Sequence, residues 1–137
     1  QPLGFLKGSA SSGVALSQKS ELDFVVVNSI AELDALLEKN KGKKIMLDFS
    51  AEWCVACKEL EEITFADARV QAKLDEYILI RADVTANSAD EKALMKKYGV
   101  FGPPALIFFD ENIEVKSAKT IIGFIEPEKF LTHLENI

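Results

Sequence analysis

The chain has 137 residues, 48% hydrophobic and 28% charged, which suits one compact domain with a real core and leaves no room for a second. Its net charge of −6 comes without any basic cluster, which argues against nucleic acid or anionic lipid as partner, since both are bound mainly through Lys and Arg. No apolar run reaches the roughly 18 residues needed to span a bilayer, and the first residues lack a basic segment followed by an apolar core, so no signal peptide is expected.

Residues 1–21 are rich in Gly and Ser (Gly4, Gly8, Ser9, Ser11, Ser12, Gly13, Ser17) and have little periodicity. They read as a flexible leader or linker, leaving residues 22–137 as the domain. Phe24 to Val27 is a short β-branched run, and Ser29-Ile30-Ala31-Glu32 has capping-box spacing at the head of a helix through about Asn40, with Ile30, Leu33, Leu36 and Leu37 on one face. Lys41 to Lys44 turns into a strand from Ile45 to Ser50 that is apolar at nearly every position except Asp48, the pattern of a strand covered on both faces.

A short turn through Ala51 to Trp53 then leads to Cys54 at the start of a helix. Leu60, Ile63 and Phe65 continue a helical stripe, a bend or break is expected near Phe65 to Asp67, and Asp67 offers a fresh cap for a segment through about Glu76 with Val70 and Leu74 inward. Tyr77 to Asp83 predicts a strand, Val84 to Ser88 a loop, and Ala89 to Tyr98 a helix ended by Gly99. Gly102-Pro103-Pro104 breaks the chain before the apolar strand Ala105 to Phe109, and Phe101, Phe108 and Phe109 are expected in the core. Asp110 to Asn112 is a turn signal, Val115 to Phe124 predicts an edge strand, and Pro127 suits N1 of a final helix through Asn136. The order β-α-β-α-β-α-β-β-α places the chain in the α/β class, with a central mixed sheet and helices on both faces.

Cys54 and Cys57 are the only cysteines. Structural zinc takes four protein ligands, and with no second pair and a single His, His133 in the last helix, the ligands are missing. A structural disulfide over so short a loop would constrain the unfolded chain little. Thiol–disulfide exchange remains, with the pair itself as redox centre and no bound cofactor or metal expected. A helix N-terminus carries partial positive charge that favours the thiolate at Cys54, and Cys57 lies one turn on, placed to close a disulfide or resolve a mixed one.

The direction of exchange depends on the neighbours. Val55-Ala56 supplies no positive charge, whereas Asp48 lies six positions before Cys54 on the apolar strand and Glu61 one helical turn past Cys57. Negative charge and desolvation both disfavour a thiolate, which points to a pair that gives electrons away, and a buried carboxylate can exchange the Cys57 proton. Trp53 suits a shield over the pair, part of a docking surface or, as a large aromatic, a place in the core. A proline opening an apolar strand often carries a cis peptide and leaves the preceding backbone free to pair with an extended peptide; the residues alone leave Pro103 and Pro104 both open.

Trp53-Cys54-Val55-Ala56-Cys57-Lys58 with the strand-opening Pro104 resembles the thioredoxin family. Glu59-Leu60-Glu61, Thr64-Phe65, Asp83 to Asn87 and Gly102 to Phe109 are similar, more closely, to the C-terminal periplasmic domains of the DsbD family of transmembrane thiol:disulfide interchange proteins, over about Phe24 to Leu134. That resemblance implies a thioredoxin fold and an electron relay. The membrane-embedded domain of the same protein donates, and the N-terminal periplasmic domain or other periplasmic disulfide proteins accept, feeding disulfide isomerisation and cytochrome c maturation. It further implies Cys54 as exposed nucleophile, Cys57 as resolving thiol, Asp48 and Glu61 as tuning acids, Pro104 as cis-proline, a monomeric soluble domain of an inner-membrane protein, and the Gly/Ser-rich leader as a tether. Two positions depart from thioredoxin: Val55-Ala56 replaces Gly-Pro, as in the DsbD type, and Ala105 replaces the Thr after the cis-proline. The alternatives are a free-standing thioredoxin-like reductase or disulfide isomerase, and a binding module whose cysteines are incidental.

Overall fold

The computed structural model describes residues 22–137; the expected leader at residues 1–21 lies outside them. Strands β1 (Phe24–Val27), β2 (Ile45–Ser50), β3 (Ile78–Asp83), β4 (Ala105–Phe109) and β5 (Ile121–Ile122) form one sheet in the order β1-β3-β2-β4-β5. β3 pairs in parallel with β1 and β2, β4 runs antiparallel to β2, and β5 antiparallel to β4. The sheet is thus mixed, with β3, β2 and β4 in its interior.

Helices form where the sequence supplies caps. Ser29 accepts from the backbone of Glu32 to open α1 (Ile30–Lys39), and the Glu32 carboxylate reaches back to the N–H of Asn28, one residue before the usual recipient. Asp67 accepts from Arg69 and Val70 to open α3 (Ala68–Leu74), and a reciprocal Ser88/Glu91 box opens α4 (Ala89–Lys97), which ends before Gly99 at φ 69°. Pro127 stands at the head of α5 (Pro127–Glu135).

The two-residue alternation of the strands divides the core. Leu47 and Phe49 of β2 pack with Ile80, Ala82 and Ile107 under α1 and α4, through Leu33, Leu37 and Leu94. Met46 packs with Leu79, Leu106 and Phe108 on the other face, against Leu60, Val70, Leu74 and Phe130 of the helices there. Every residue of β2 from Ile45 to Phe49 is buried, and Asp48 sits on the Met46 side at 2% exposure.

α2 (Val55–Glu59) runs on into a π-helical turn over Leu60–Thr64, closed by the Phe65 N–H on the Leu60 carbonyl, before the chain breaks and α3 begins. The extra residue in that turn rotates the side chains at its end. Ile63, expected on the apolar stripe, faces solvent, while Thr64 bonds the Ile125 carbonyl and Phe65 packs against Phe24 and Phe130.

Two further expectations are corrected. Val115 to Phe124 is no continuous strand: Val115 makes one bridge to Phe109, a 3₁₀ turn occupies Ser117–Lys119, and only Ile121–Ile122 pair with β4. The interspersed Lys and Ser residues give such an edge little apolar surface to hold it flat. Phe101, expected in the core with Phe108 and Phe109, is fully exposed in the loop before β4, because Val100 takes the buried position and Gly102-Pro103 follow at once.

Phe65 closes the π turn and links it to the sheet. Phe65→Ala is expected to lower unfolding free energy by about 3–5 kcal/mol, read as a shift in denaturant midpoint with unchanged slope.

Candidate active site

The site lies at the end of the sheet where β2 stops and β4 starts, since Phe49 is opposite Ala105 in their antiparallel register. The turn after β2 is laced to the loop after β3. Glu52 N–H donates to Thr85 Oγ1 (2.9 Å), Trp53 Nε1 to the Thr85 carbonyl (2.9 Å), and the Thr85 N–H to Asp83 Oδ1 (2.9 Å). Trp53 is held by its polar edge while 59% of it stays exposed. Thr85 is a positioning residue that sequence reasoning quoted only within the Asp83 to Asn87 stretch and gave no role; its signal was a hydroxyl two residues past the end of an apolar strand.

Cys54 is the N-cap of α2: its Sγ accepts the Cys57 N–H at 3.1 Å, and the two are joined as a disulfide with Cα atoms 5.2 Å apart. The resemblance implies an exposed Cys54, but in the disulfide the two residues are equally shielded, at 6% and 7% exposure. Each sulfur covers the other, and the apolar cluster of Ala51, Val100 and Ala105 closes around them. What distinguishes the pair is position, with Cys54 at the cap and Cys57 inside the first turn.

The Pro103–Pro104 bond is cis, which makes Pro104 the cis residue, and the Pro104 carbonyl accepts from Gly123 N–H at 3.0 Å, tying that loop to the residue after β5. Trp53 in the turn after β2, Val55 at the head of α2 and Phe101 in the loop before β4 are large apolar side chains exposed at this end of the sheet.

Asp48 and Glu61 meet through a residue that sequence reasoning missed. Arg81 of β3 is the register partner of Asp48 across the parallel pair. It donates from Nε and Nη2 to Asp48 Oδ2 (3.1 and 3.0 Å) and from Nη2 to Glu61 Oε1 (2.9 Å). Its signal was present: one apolar strand carries a lone acid, Asp48, and its neighbour a single cation, Arg81. The π turn brings Glu61 to this guanidinium. Cys57, Glu61 and Arg81 line one open groove of about 680 Å³, together with Lys58, Asp83 and Thr85.

Burial pushes the Asp48 carboxyl up from 3.8 to about 6; the charge and hydrogen bonds of Arg81 oppose the rise, and the charge of Glu61 adds to it. His133 lies elsewhere, with Nε2 2.8 Å from the Lys119 carbonyl and its ring against Phe108. Among the described residues no group of three or more His, Cys, Asp or Glu side chains is placed to hold a metal ion, and no helix is long and apolar enough to cross a membrane.

A sulfur pair that opens and closes one bond at a helix head, across from a cis-proline loop, is the working part of a thiol–disulfide oxidoreductase, and fold and site together put the chain in that class. The thioredoxin-like domain family matches residues 33–137. The C-terminal domain of DsbD from Neisseria meningitidis, in its oxidised form, superposes with a TM-score of 0.68 at 30% identity, covering 82% of this chain and 98% of that one. A thioredoxin from Thermus thermophilus shares the fold at a TM-score of 0.63 and 21% identity. Thiol:disulfide interchange protein DsbD of Yersinia pestis (strain Pestoides F) is 44% identical over 115 residues, and that of Ralstonia nicotianae 43% identical over 137, covering 84% and 98% of this chain. The chain belongs to the thioredoxin-like family, in the branch formed by the C-terminal domains of DsbD. It spans only about a fifth of the length of the curated relatives it matches, 19% and 22% for these two.

The raised proton affinity of Asp48 has a stability consequence. The folded state holds that proton more tightly than the unfolded chain, so stability is greatest with Asp48 protonated and falls as pH rises from about 3.8 to about 6. A shift of that size corresponds to a loss on the order of 2–3 kcal/mol above this range. Asp48→Asn keeps the shape of the protonated acid and leaves Glu61 on Arg81. It is expected to melt higher than the unsubstituted domain at neutral pH, and the advantage should vanish near pH 3.8 in melts taken across pH.

Proposed function

We propose that residues 22–137 form a periplasmic protein-disulfide reductase domain, tethered by residues 1–21, that takes electrons from a membrane-embedded domain of the same protein and passes them to periplasmic disulfide proteins. The observation that carries this reading is the Cys54–Cys57 disulfide placed beside the acid-rich cluster of Asp48, Glu61 and Arg81. Two carboxylates against one guanidinium leave the cluster with a net negative charge. That charge disfavours a thiolate nearby, offsets the pull of the helix N-terminus, and makes the reduced pair a ready donor. The printed name of the relatives, thiol:disulfide interchange protein, supports the exchange chemistry, and their greater length supports further domains in such proteins.

In this reading Cys54 attacks and Cys57 resolves, because the cap position gives Cys54 the freer approach once the bond is open. Trp53, Pro103 and Pro104 form the docking surface for an extended substrate peptide, and the exposed Phe101 and Val55 enlarge it with apolar area. Among the described residues no donor meets the Pro103 carbonyl, which leaves it for a substrate N–H.

Equilibration with glutathione buffers is expected to give a reduction potential below about −200 mV, on the reducing side of the strong oxidants. A value of about −120 mV, the strong-oxidant range, would overturn the reductant reading. Cys57→Ser is expected to accumulate a mixed disulfide through Cys54 with a disulfide-bearing protein substrate, detected by mass.

Phe101→Ala tests the docking surface separately. It should lower kcat/KM for a protein disulfide roughly five- to ten-fold while leaving reaction with a small aromatic disulfide unchanged.

A further inference from the structure

Arg81 is the point on which both carboxylates converge. Its guanidinium is fixed on three sides: Asp48 Oδ2 at 3.1 and 3.0 Å, Glu61 Oε1 at 2.9 Å, and the Phe24 ring with its centroid 4.0 Å from Cζ. Asp48 is 2% exposed and reaches the groove only through this contact, whereas Arg81, Glu61 and Cys57 line it. A carboxyl sealed in an apolar strand with no cation beside it gives up its charge, because nothing replaces the water it has lost. A neutral acid accepts no proton.

We propose that Arg81 is a positioning residue of the redox centre: by tying Asp48 and Glu61 to one guanidinium it keeps Asp48 ionised, and the cluster able to take up the Cys57 proton, at the pH at which the pair works. This rests on the reading of Cys57 as the resolving thiol. In that step the Cys57 S–H gives its proton to the cluster, and the resulting thiolate attacks Cys54 Sγ. The Cys54–Cys57 bond forms as the bond from Cys54 to the partner's sulfur breaks. The partner leaves as a thiolate that takes a proton from water, and two electrons have passed to it.

The electrostatics agree. Burial raises the proton affinity of Asp48, Glu61 raises it further, and Arg81 works against both by charge and by hydrogen bond. The other charged groups along the groove are Glu52, Lys58 and Asp83; none of them bonds Asp48, and Asp83 is occupied by the Thr85 N–H.

The reduced 137-residue chain and its variants are mixed with 5,5′-dithiobis(2-nitrobenzoate) in stopped flow. Attack by Cys54 releases one thionitrobenzoate, and resolution by Cys57 releases a second in a distinct phase. In Arg81→Met the pH midpoint of the second phase is expected to move up by about one unit, so that its rate falls about two-fold at neutral pH and about ten-fold at about pH 5, with the first phase changed less. Arg81→Lys, which keeps a cation, should restore most of that rate. In an Asp48→Asn background the Arg81→Met change should produce no further shift. A second-phase pH profile in Arg81→Met and Arg81→Lys that superimposes on that of the unsubstituted chain overturns the proposal, as does a full shift persisting without Asp48. An unsubstituted chain with no second phase at all overturns the relay reading beneath it.

Discussion

The working end of the molecule depends on β2 being sealed on both faces. Leu47 and Phe49 are locked under α1 and α4, and Met46 is locked against the opposite helices. That leaves Asp48 as a charge in a setting that does not tolerate one alone. The neighbouring strand answers with Arg81 at the matching register, and the π turn after α2 brings Glu61 to the same guanidinium. Because β2 also ends at the turn that carries Trp53 and Cys54, the burial that perturbs Asp48 and the rigidity that presents the cysteines have one origin.

Under the proposed relay, the cluster trades stability for chemistry. An ionised Asp48 weakens the fold relative to its protonated form, and an Asn would serve packing better, yet the charged acid is the one that can exchange a proton. Arg81 limits the cost without removing it, holding the carboxyl near 6 against the pull of burial. Thr85, by contrast, acts through geometry alone, joining the cysteine-bearing turn to the loop after β3 by backbone and side-chain hydrogen bonds.

Much of this was legible in the sequence because short-range signals dominate it. The caps at Ser29 and Asp67, the apolar run of β4 and that of β2 interrupted only by Asp48, and the stop at Gly99 each act within a few residues, and they set the chain order. The departures arise where local pattern and tertiary context diverge. Ile63 had the right spacing for an apolar stripe, but one extra residue in the π turn rotated it outward. Phe101 looked like core by residue type, and only the packing of Val100 in its place exposes it. The Asp48–Arg81 pairing required the strand register, which no single strand's pattern contains. The equal shielding of Cys54 and Cys57 required the disulfide itself.

The strand order also sets a sequence of events during synthesis. β1 and β2 are made first but are not neighbours; β3, which emerges after both, has to slot between them. Contacts so distant along the chain are slow to form, whereas Cys54 and Cys57 are within one turn of each other from the start. A nascent chain can therefore close or open its sulfur bond before Arg81 has arrived beside Asp48. The cysteine pair is complete along the chain before β3 delivers the guanidinium that Asp48 and Glu61 share, and well before the loop of Pro104 follows.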